Sequence, residues 1–196
     1  MDFLVCSRAT SAAMVAPDNP ELDERHWSYM DAYADALTAR GPTLGVDRCT
    51  WTGSIHVVDL PGPDAAREFV DGEPYHQAGA YERHFIWRFT NVLGRTMWEF
   101  AGAPGELRFF VLAHAAPDRP NHPDAVPLAD IDQHVREGLI VYGRLHDPYG
   151  VAPAGVALAV QVPTRQALDT LLGDGLAWLG SYGDIEVHDW EFGGRR

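Results

Sequence analysis

The pattern of apolar and polar positions predicts alternating strands and helices in the first half of the chain. Apolar-rich runs predict strands near residues 2–8, 43–50, 53–60 and 82–90. Helical spacing predicts helices near residues 21–39 and 63–71, with a short helical turn around residues 75–79. The predicted order is strand, helix, strand, strand, helix, strand.

The first predicted helix has a clear start and one apolar face. Asn19 and Pro20 precede acidic residues in its first turn, which complement the helix dipole. Met30, Tyr33 and Leu37 follow at helical spacing. We therefore expect this helix to pack on the sheet.

The same pattern recurs about a hundred residues later, so the chain contains an internal repeat. Residues 3–9 (FLVCSRA) correspond to residues 109–115 (FFVLAHA). A single register that places Gly79-Ala80-Tyr81 on Gly180-Ser181-Tyr182 also places Glu73 on Asp174 without a gap. We predict two units, residues 1–95 and 96–196, with connecting segments near residues 91–105 and 116–127.

Each predicted βαββαβ unit has an antiparallel sheet with both helices on one face, so the other face needs cover. Packing the two sheets against each other buries both uncovered faces. The sequence therefore predicts an α+β protein that forms a pseudo-dimeric α+β barrel within one chain. Such a chain is either a monomeric pseudo-dimer or a further homodimer.

Composition and charge exclude several classes of partner. The formal net charge of -13 argues against nucleic acid and anionic lipid, because both attract surfaces rich in arginine and lysine. We expect no membrane contact, since no segment has the length and apolarity of a membrane span and the N-terminus is unlike a signal peptide. Cys6 and Cys49 are too few for a disulfide framework, and both are predicted to be packed thiols in strands. These features favour a reducing, cytoplasmic location.

A set of short motifs in the first half gives a more specific indication. They comprise a helical histidine, a Gly-Pro turn, a Gly-Ser pair at the third strand, an acidic-Pro-Tyr motif and an Ala-Gly pair: His26, Gly41-Pro42, Gly53-Ser54, Glu73-Pro74-Tyr75 and Ala78-Gly79. In this combination, residues 1–90 resemble the YCII-related family. The resemblance implies ferredoxin-like units in a dimeric α+β barrel, with a histidine and an aspartate facing each other in a pocket between sheet and helices. It also implies small lyases or isomerases, although the fold alone does not determine the reaction.

The resemblance assigns the family's histidine to His26 and its aspartate to Glu73, which is longer by one methylene. A histidine is suited to take and return a proton near neutral pH, and a neighbouring carboxylate would orient it. Ser54 could stabilise a developing oxyanion. The alternative is that His26 is an exposed residue of a helix's first turn, that Glu73 is merely solvated and that Ser54 belongs to an ordinary turn.

Four further residues are candidates for substrate binding. Tyr29, Trp51 and Tyr75 would suit the wall of a pocket for a flat ligand, although most aromatic side chains belong to the core. Arg8, at the end of the first strand, could pair with an anionic substrate or with a surface carboxylate.

In the second half, Asp174 takes the position of Glu73, but Gly175-Leu176 replace Pro74-Tyr75. His122 in the proline-rich segment and His114 at the end of a strand are the nearest histidines. We expect this half to have lost the site and kept the packing.

The nine histidines do not form a known metal motif, and nucleotide-binding glycine motifs are absent. We therefore predict no metal and no cofactor. The leading hypothesis is a small lyase or isomerase in which a His/carboxylate dyad moves a proton on a small oxygenated or aromatic molecule. The alternatives are a cofactor-independent oxygenase or cyclase of a biosynthetic pathway, and a non-catalytic protein that binds a small ligand.

Overall fold

The computed structural model describes residues 1–14, 16, 18–116 and 126–193. Its eight strands are β1 (Asp2–Ala9), β2 (Leu37–Leu44), β3 (Trp51–Asp59), β4 (Tyr81–Asn91), β5 (Leu107–His114), β6 (Leu139–His146), β7 (Pro153–Val162) and β8 (Ile185–Trp190). The α-helices are α1 (Ser11–Met14), α2 (Pro20–Asp31), α3 (Pro63–Asp71), α4 (Pro74–Gln77), α5 (Gln133–Gly138) and α6 (Arg165–Thr170). Short 3-10 helices at Met97–Glu99, Leu128–Asp130 and Ala177–Ser181 and a π-helical turn at Leu171–Gly175 complete the regular structure.

The two halves have the same strand order and together form a closed barrel. The sheet order is β4-β1-β3-β2 in the first half and β8-β5-β7-β6 in the second. Antiparallel pairing of β2 with β8 and of β4 with β6 joins the edges of the two sheets. The predicted fold class is thus confirmed, and closure of the barrel also satisfies the strand edges that two separate sheets would expose.

Strand pairing in the two halves also defines which residues are equivalent. Val5 pairs with His56 between β1 and β3, and Val111 pairs with Leu158 between β5 and β7. The predicted correspondence of residues 3–9 with 109–115 makes Val5 equivalent to Val111, so His56 is equivalent to Leu158. The second half therefore has an apolar side chain where the first half has a buried histidine.

One conformational detail recurs in both halves. Gly53 has a φ of +145° and Gly155 a φ of +140°. A Cβ atom at either position would lie 2.0 Å from a backbone oxygen of the neighbouring strand. Both glycines are therefore required by the close approach of the strands and by a backbone conformation that side chains disfavour.

Three buried clusters stabilise the fold. Side chains from both halves fill the barrel interior, among them Leu4, Ile55, Phe110 and Trp190. A second cluster lies between the first sheet and its helices, and a third lies between the second sheet and its helices. Because the interior cluster draws on both halves, each half contributes to the stability of the other.

The end of α2 and the position of β2 differ from the predictions. Helix α2 ends at Asp31 instead of near residue 39, and β2 covers Leu37–Leu44 instead of residues 43–50. Met30, Tyr33 and Leu37 do contact the same outer cluster, as their helical spacing indicated. Leu37 reaches that cluster from the first position of a strand, after a turn, so the apolar spacing did not distinguish one long helix from a helix followed by a strand.

Three further predictions concern the cysteines, the connecting segment and the membrane. Cys6 is buried in β1, but Cys49 is exposed in the turn after β2, so the prediction of a packed Cys49 is wrong.

Most of the proline-rich segment, including His122, lies outside the described residues. No helix among the described residues is long and apolar enough to cross a membrane.

Candidate functional site

The floor of the candidate site is the helix-covered face of β2 and β3. Arg40 pairs with His56 across these strands, and Pro42 pairs with Ser54 two residues further along. Alternate residues of a strand share a face, so these four side chains lie side by side. Tyr81, the first residue of β4, extends the floor, and its hydroxyl lies 2.8 Å from the Ser54 hydroxyl.

Helix α2 forms the roof. Its first turn is capped by Asn19, whose side chain accepts a hydrogen bond of 3.2 Å from the Leu22 amide. The Tyr29 hydroxyl donates to the Phe69 carbonyl oxygen at 2.9 Å and thereby ties α2 to α3. With α2 held in this way, Asp23 and His26 line the space between the helix and the floor.

His26 and Glu73 form a hydrogen-bonded pair at the site. The His26 Nδ1 atom lies 2.6 Å from the Glu73 Oε1 atom, and both side chains are largely buried. A carboxylate can only accept hydrogen bonds, so the imidazole Nδ1 is the donor. The other ring nitrogen, Nε2, is then the proton acceptor of a neutral His26.

Glu73 is held in place by the helix that it caps. It is the N-cap residue of α4, and its Oε2 atom accepts a hydrogen bond of 2.8 Å from the His76 amide. Pro74, which follows it, fixes the start of this short helix. The two carboxylate oxygens therefore have separate partners, one in the backbone of α4 and one in His26.

Aromatic side chains line a cavity of about 340 Å³ between floor and roof. The Tyr75 ring lies 4.5 Å from the His26 ring and 5.2 Å from the Trp51 ring. The Tyr75 hydroxyl donates to the Asp23 carboxylate at 2.6 Å. This volume is at the small end of the range for ligand pockets.

The second half of the chain supplies one wall of this cavity. After β8, the chain continues beside β2, where the Gly193 amide donates to the Arg40 carbonyl oxygen at 2.9 Å. Phe192 and Gly193 line the cavity as a result. A Cβ atom at Gly41 would lie 1.8 Å from the Glu191 carbonyl oxygen, so the Gly-Pro motif permits this close approach.

Burial controls the protonation of two groups on the floor. Burial lowers the pKa of His56 to about 3, with smaller contributions from the nearby His26 and Arg40. Burial raises the pKa of Tyr81 well above its usual value, and the negative charge of Glu73 adds to this effect. Near neutral pH, His56 is therefore uncharged and Tyr81 keeps its hydroxyl proton.

Five of the seven predicted site residues lie together. His26, Ser54, Trp51 and Tyr75 line the cavity, and Glu73 lies behind His26. Their roles in catalysis and substrate binding stay predictions.

Arg8 and Tyr29 do not line this cavity. Arg8 shares the inward face of β1 with Cys6, and its guanidinium lies 2.6 Å from the Glu186 carboxylate, among the residues of the barrel mouth. Tyr29 is on the side of α2 that packs against Phe69. Strand alternation places Arg8 on the opposite face of the sheet from Ser54. Tyr29 lies one turn after His26 on a neighbouring part of α2, where its hydrogen bond to the Phe69 carbonyl oxygen holds it against α3.

Several cavity residues escaped the sequence analysis: Asp23, Arg40, His56, Tyr81 and Phe192. His56 had a visible signal, since it interrupts an apolar strand between Ile55 and Val57. Arg40 had none, because its segment was assigned to the end of a helix. The position of Phe192 depends on barrel closure, which local patterns do not specify.

The second half lacks the equivalent polar groups. Val156 and Leu158 replace Ser54 and His56, as the strand registers specify. Asp174, the predicted counterpart of Glu73, is exposed on the π-helical turn. Leu176 and Leu179 are buried in the cluster between the second sheet and its helices.

Within the described ranges, no group of three or more His, Cys, Asp or Glu side chains is arranged to hold a metal ion.

Comparison with known proteins agrees with the architecture and identifies a family match. Residues 1–90 match the family model described as the YCII-related domain. A solved structure of a candidate chlorite dismutase aligns with 97% of this chain and 94% of its own, with a TM-score of 0.52 and 12% identity. An anthrone oxidase-like protein aligns with 97% of this chain and 90% of its own, with a TM-score of 0.50 and 13% identity.

A third solved structure corresponds to about half of the chain. It is 5-chloro-2-hydroxyhydroquinone dehydrochlorinase from Burkholderia phenoliruptrix AC1100, in complex with 2,5-dihydroxybenzoquinone. The alignment covers 46% of this chain and 95% of that one, with 23% identity and a TM-score of 0.41. No curated protein sequence matches the chain.

Proposed function

We propose, from the match of residues 1–90 to the YCII-related domain model, that the chain is a small enzyme of the lyase or isomerase type. The observation that carries the proposal is the hydrogen bond between His26 Nδ1 and Glu73 Oε1 beside a cavity of about 340 Å³. The substrate is a small oxygenated or aromatic molecule. The reaction uses the side chains of this chain and requires no metal or cofactor.

The dyad supports a definite proton transfer. Nε2 of His26 takes a proton from a carbon next to a carbonyl group, or from a phenol, and the electron pair left behind moves onto the substrate oxygen. In an elimination, that electron pair then expels a leaving group from the adjacent carbon. In an isomerisation, the imidazolium returns the proton to a different carbon.

Glu73 contributes orientation and charge. It keeps the proton on Nδ1 and so reserves Nε2 for the substrate, and its negative charge stabilises the imidazolium that forms. Because the Glu73 side chain is only 5% exposed, water screens this interaction weakly.

The floor offers donors for the substrate oxygen. Ser54 and Tyr81 share one hydrogen bond, and one hydroxyl proton of the pair is therefore available to a carbonyl or phenolate oxygen. The raised pKa of Tyr81 keeps this pair uncharged at neutral pH.

Exchange of substrate protons in D₂O tests the proposal. Small ketones, phenols and hydroxyquinols would be incubated with the protein, and deuterium incorporation and product formation would be followed by NMR. We expect His26→Gln to lower the rate of a converted compound by about 100-fold or more, because general base catalysis contributes at least that much. His134→Gln, an exposed histidine on α5, is the matched control and should leave the rate unchanged.

Unchanged exchange in the His26→Gln variant would refute the proposal. Oxygen uptake in proportion to substrate loss would instead support a cofactor-independent oxygenase. Binding without conversion of any compound would support a ligand-binding protein.

A further inference from the structure

The cavity is electrically polarised along its length. Asp23 and Arg40 both line it, but they lie near opposite ends of the roof helix. Arg40 is next to Asp31, at the end of α2, while Asp23 is in its first turn. Eight residues of helix span about 12 Å, which is close to the length of a substituted aromatic ring. His26 lies between the two ends.

Arg40 supplies the positive end. It is the one arginine among the described residues that line the cavity, and only 5% of its surface is exposed. Its cross-strand neighbour His56 is uncharged near neutral pH and adds no positive charge of its own. The Arg40 guanidinium lies 3.5 Å from the Asp31 carboxylate, and the Asp31 side chain is 43% exposed. Because Arg40 is buried, water would screen its attraction to a substrate carboxylate less than it would at an exposed arginine.

Asp23 supplies the negative end. Its carboxylate accepts the Tyr75 hydroxyl proton at 2.6 Å and has further acceptor capacity for a ligand hydroxyl. The aromatic rings of Trp51 and Tyr75 form the wall at this end. A flat ligand with a hydroxyl group at the Asp23 end matches this surface.

We propose that the site binds small aromatic hydroxy acids, with the carboxylate against Arg40 and the hydroxyl group directed to Asp23. This inference rests on the proposed function, because the ring would lie beside His26. It adds a substrate class and assigns the anion-binding role to Arg40 instead of Arg8. A guanidinium matches a carboxylate through two parallel hydrogen bonds, and this pairing gives the ligand its direction.

Calorimetric titration with a matched pair of probes tests the inference. The probes are 4-hydroxybenzoate and 4-hydroxybenzamide, which have nearly the same shape and differ in charge. We expect the wild-type chain to bind the acid about tenfold more tightly than the amide, since a hydrogen bond to a charged group is worth about that factor. Arg40→Met should remove this preference, and Arg40→Lys should retain part of it.

Two further variants separate anion binding from a structural role of Arg40. Asp31→Asn removes one negative charge beside Arg40 and should tighten binding of the acid by about two- to fivefold while leaving the amide unaffected. Arg25→Met changes an exposed arginine on the same helix and should alter neither affinity. Circular dichroism would verify that each variant is folded.

Three results would each overturn the inference. The wild type could bind acid and amide equally well, or it could fail to bind the acid up to about 10 mM. The third is an unchanged preference for the acid in Arg40→Met. These results are independent of proton transfer. A protein that loses exchange activity with His26→Gln but does not prefer the acid would retain the proposed function and refute the substrate class. A protein that prefers the acid but keeps its activity in His26→Gln would retain the substrate class and refute the proposed function.

Discussion

Replacement of His56 by leucine should remove a large part of the acid sensitivity of the fold. His56 is 3% exposed, and its pKa falls from 6.5 to about 3 on folding, chiefly because burial disfavours the charged imidazole. As the pH falls below 6.5, the unfolded chain binds a proton at this residue and the folded chain does not. His56 therefore costs stability between pH 6.5 and about pH 3, and the loss grows as the pH falls.

The size of the effect follows from the shift in pKa. At pH 5, which is about 1.5 units below the unfolded pKa, protonation of His56 stabilises the unfolded state by about 2 kcal/mol, at 1.36 kcal/mol per unit. At pH 7 the same contribution is close to zero. Leucine is a suitable replacement because Leu158 occupies the equivalent position in the second half.

The assay is urea denaturation of the wild type and His56→Leu at about pH 7 and about pH 5. The difference in free energy of unfolding between the two proteins should change by about 2 kcal/mol between these pH values, in favour of the variant at the lower pH. His84 and His188 also have lowered pKa values, but both proteins retain them, so their contributions cancel. Parallel pH dependence of the two proteins would show that His56 is not buried in uncharged form.

Further substitutions test the dyad and the strand geometry. Glu73→Gln should lower turnover by about 100-fold or more, because a glutamine amide can donate to Nδ1 and move the ring proton to Nε2, whereas Glu68→Gln on the exposed side of α3 should have no effect in the same NMR exchange assay. Gly53→Ala and Gly155→Ala should each lower the free energy of unfolding by roughly 2 to 4 kcal/mol, because both combine a positive φ with a backbone clash. Gly173→Ala, in the π-helical turn and with no atom within 4 Å of the added Cβ, should not lower stability in thermal denaturation. Full activity in Glu73→Gln, or wild-type stability in Gly53→Ala, would contradict the respective argument.

The fold could be predicted because its signals are repeated and local. Apolar runs and turn residues recur in the same order in both halves, and a single register relates Gly79-Ala80-Tyr81 to Gly180-Ser181-Tyr182. An exposed sheet face requires cover, so two such units in one chain imply that the sheets meet. The boundary between α2 and β2 was missed because Leu37 satisfies the same apolar contacts in either element.

The candidate site was predicted only in part. The motif residues His26 and Glu73 were identified, and the structure places them within hydrogen-bonding distance. Arg40 and Phe192 were missed for two different physical reasons. Arg40 joins the floor only when β2 begins at Leu37, and Phe192 reaches the cavity only because β8 pairs with β2 across the two halves.

The protonation state of the His26 ring tests the central claim most directly. Nitrogen-15 NMR of the imidazole in the neutral form, on the wild type and on Glu73→Gln, distinguishes the two tautomers without knowledge of a substrate. The account predicts that wild-type His26 carries its proton on Nδ1, hydrogen-bonded to Glu73, and that this preference is lost in the variant. A wild-type ring protonated on Nε2, or a ring unaffected by Glu73→Gln, would contradict the claim that Glu73 prepares His26 as a base.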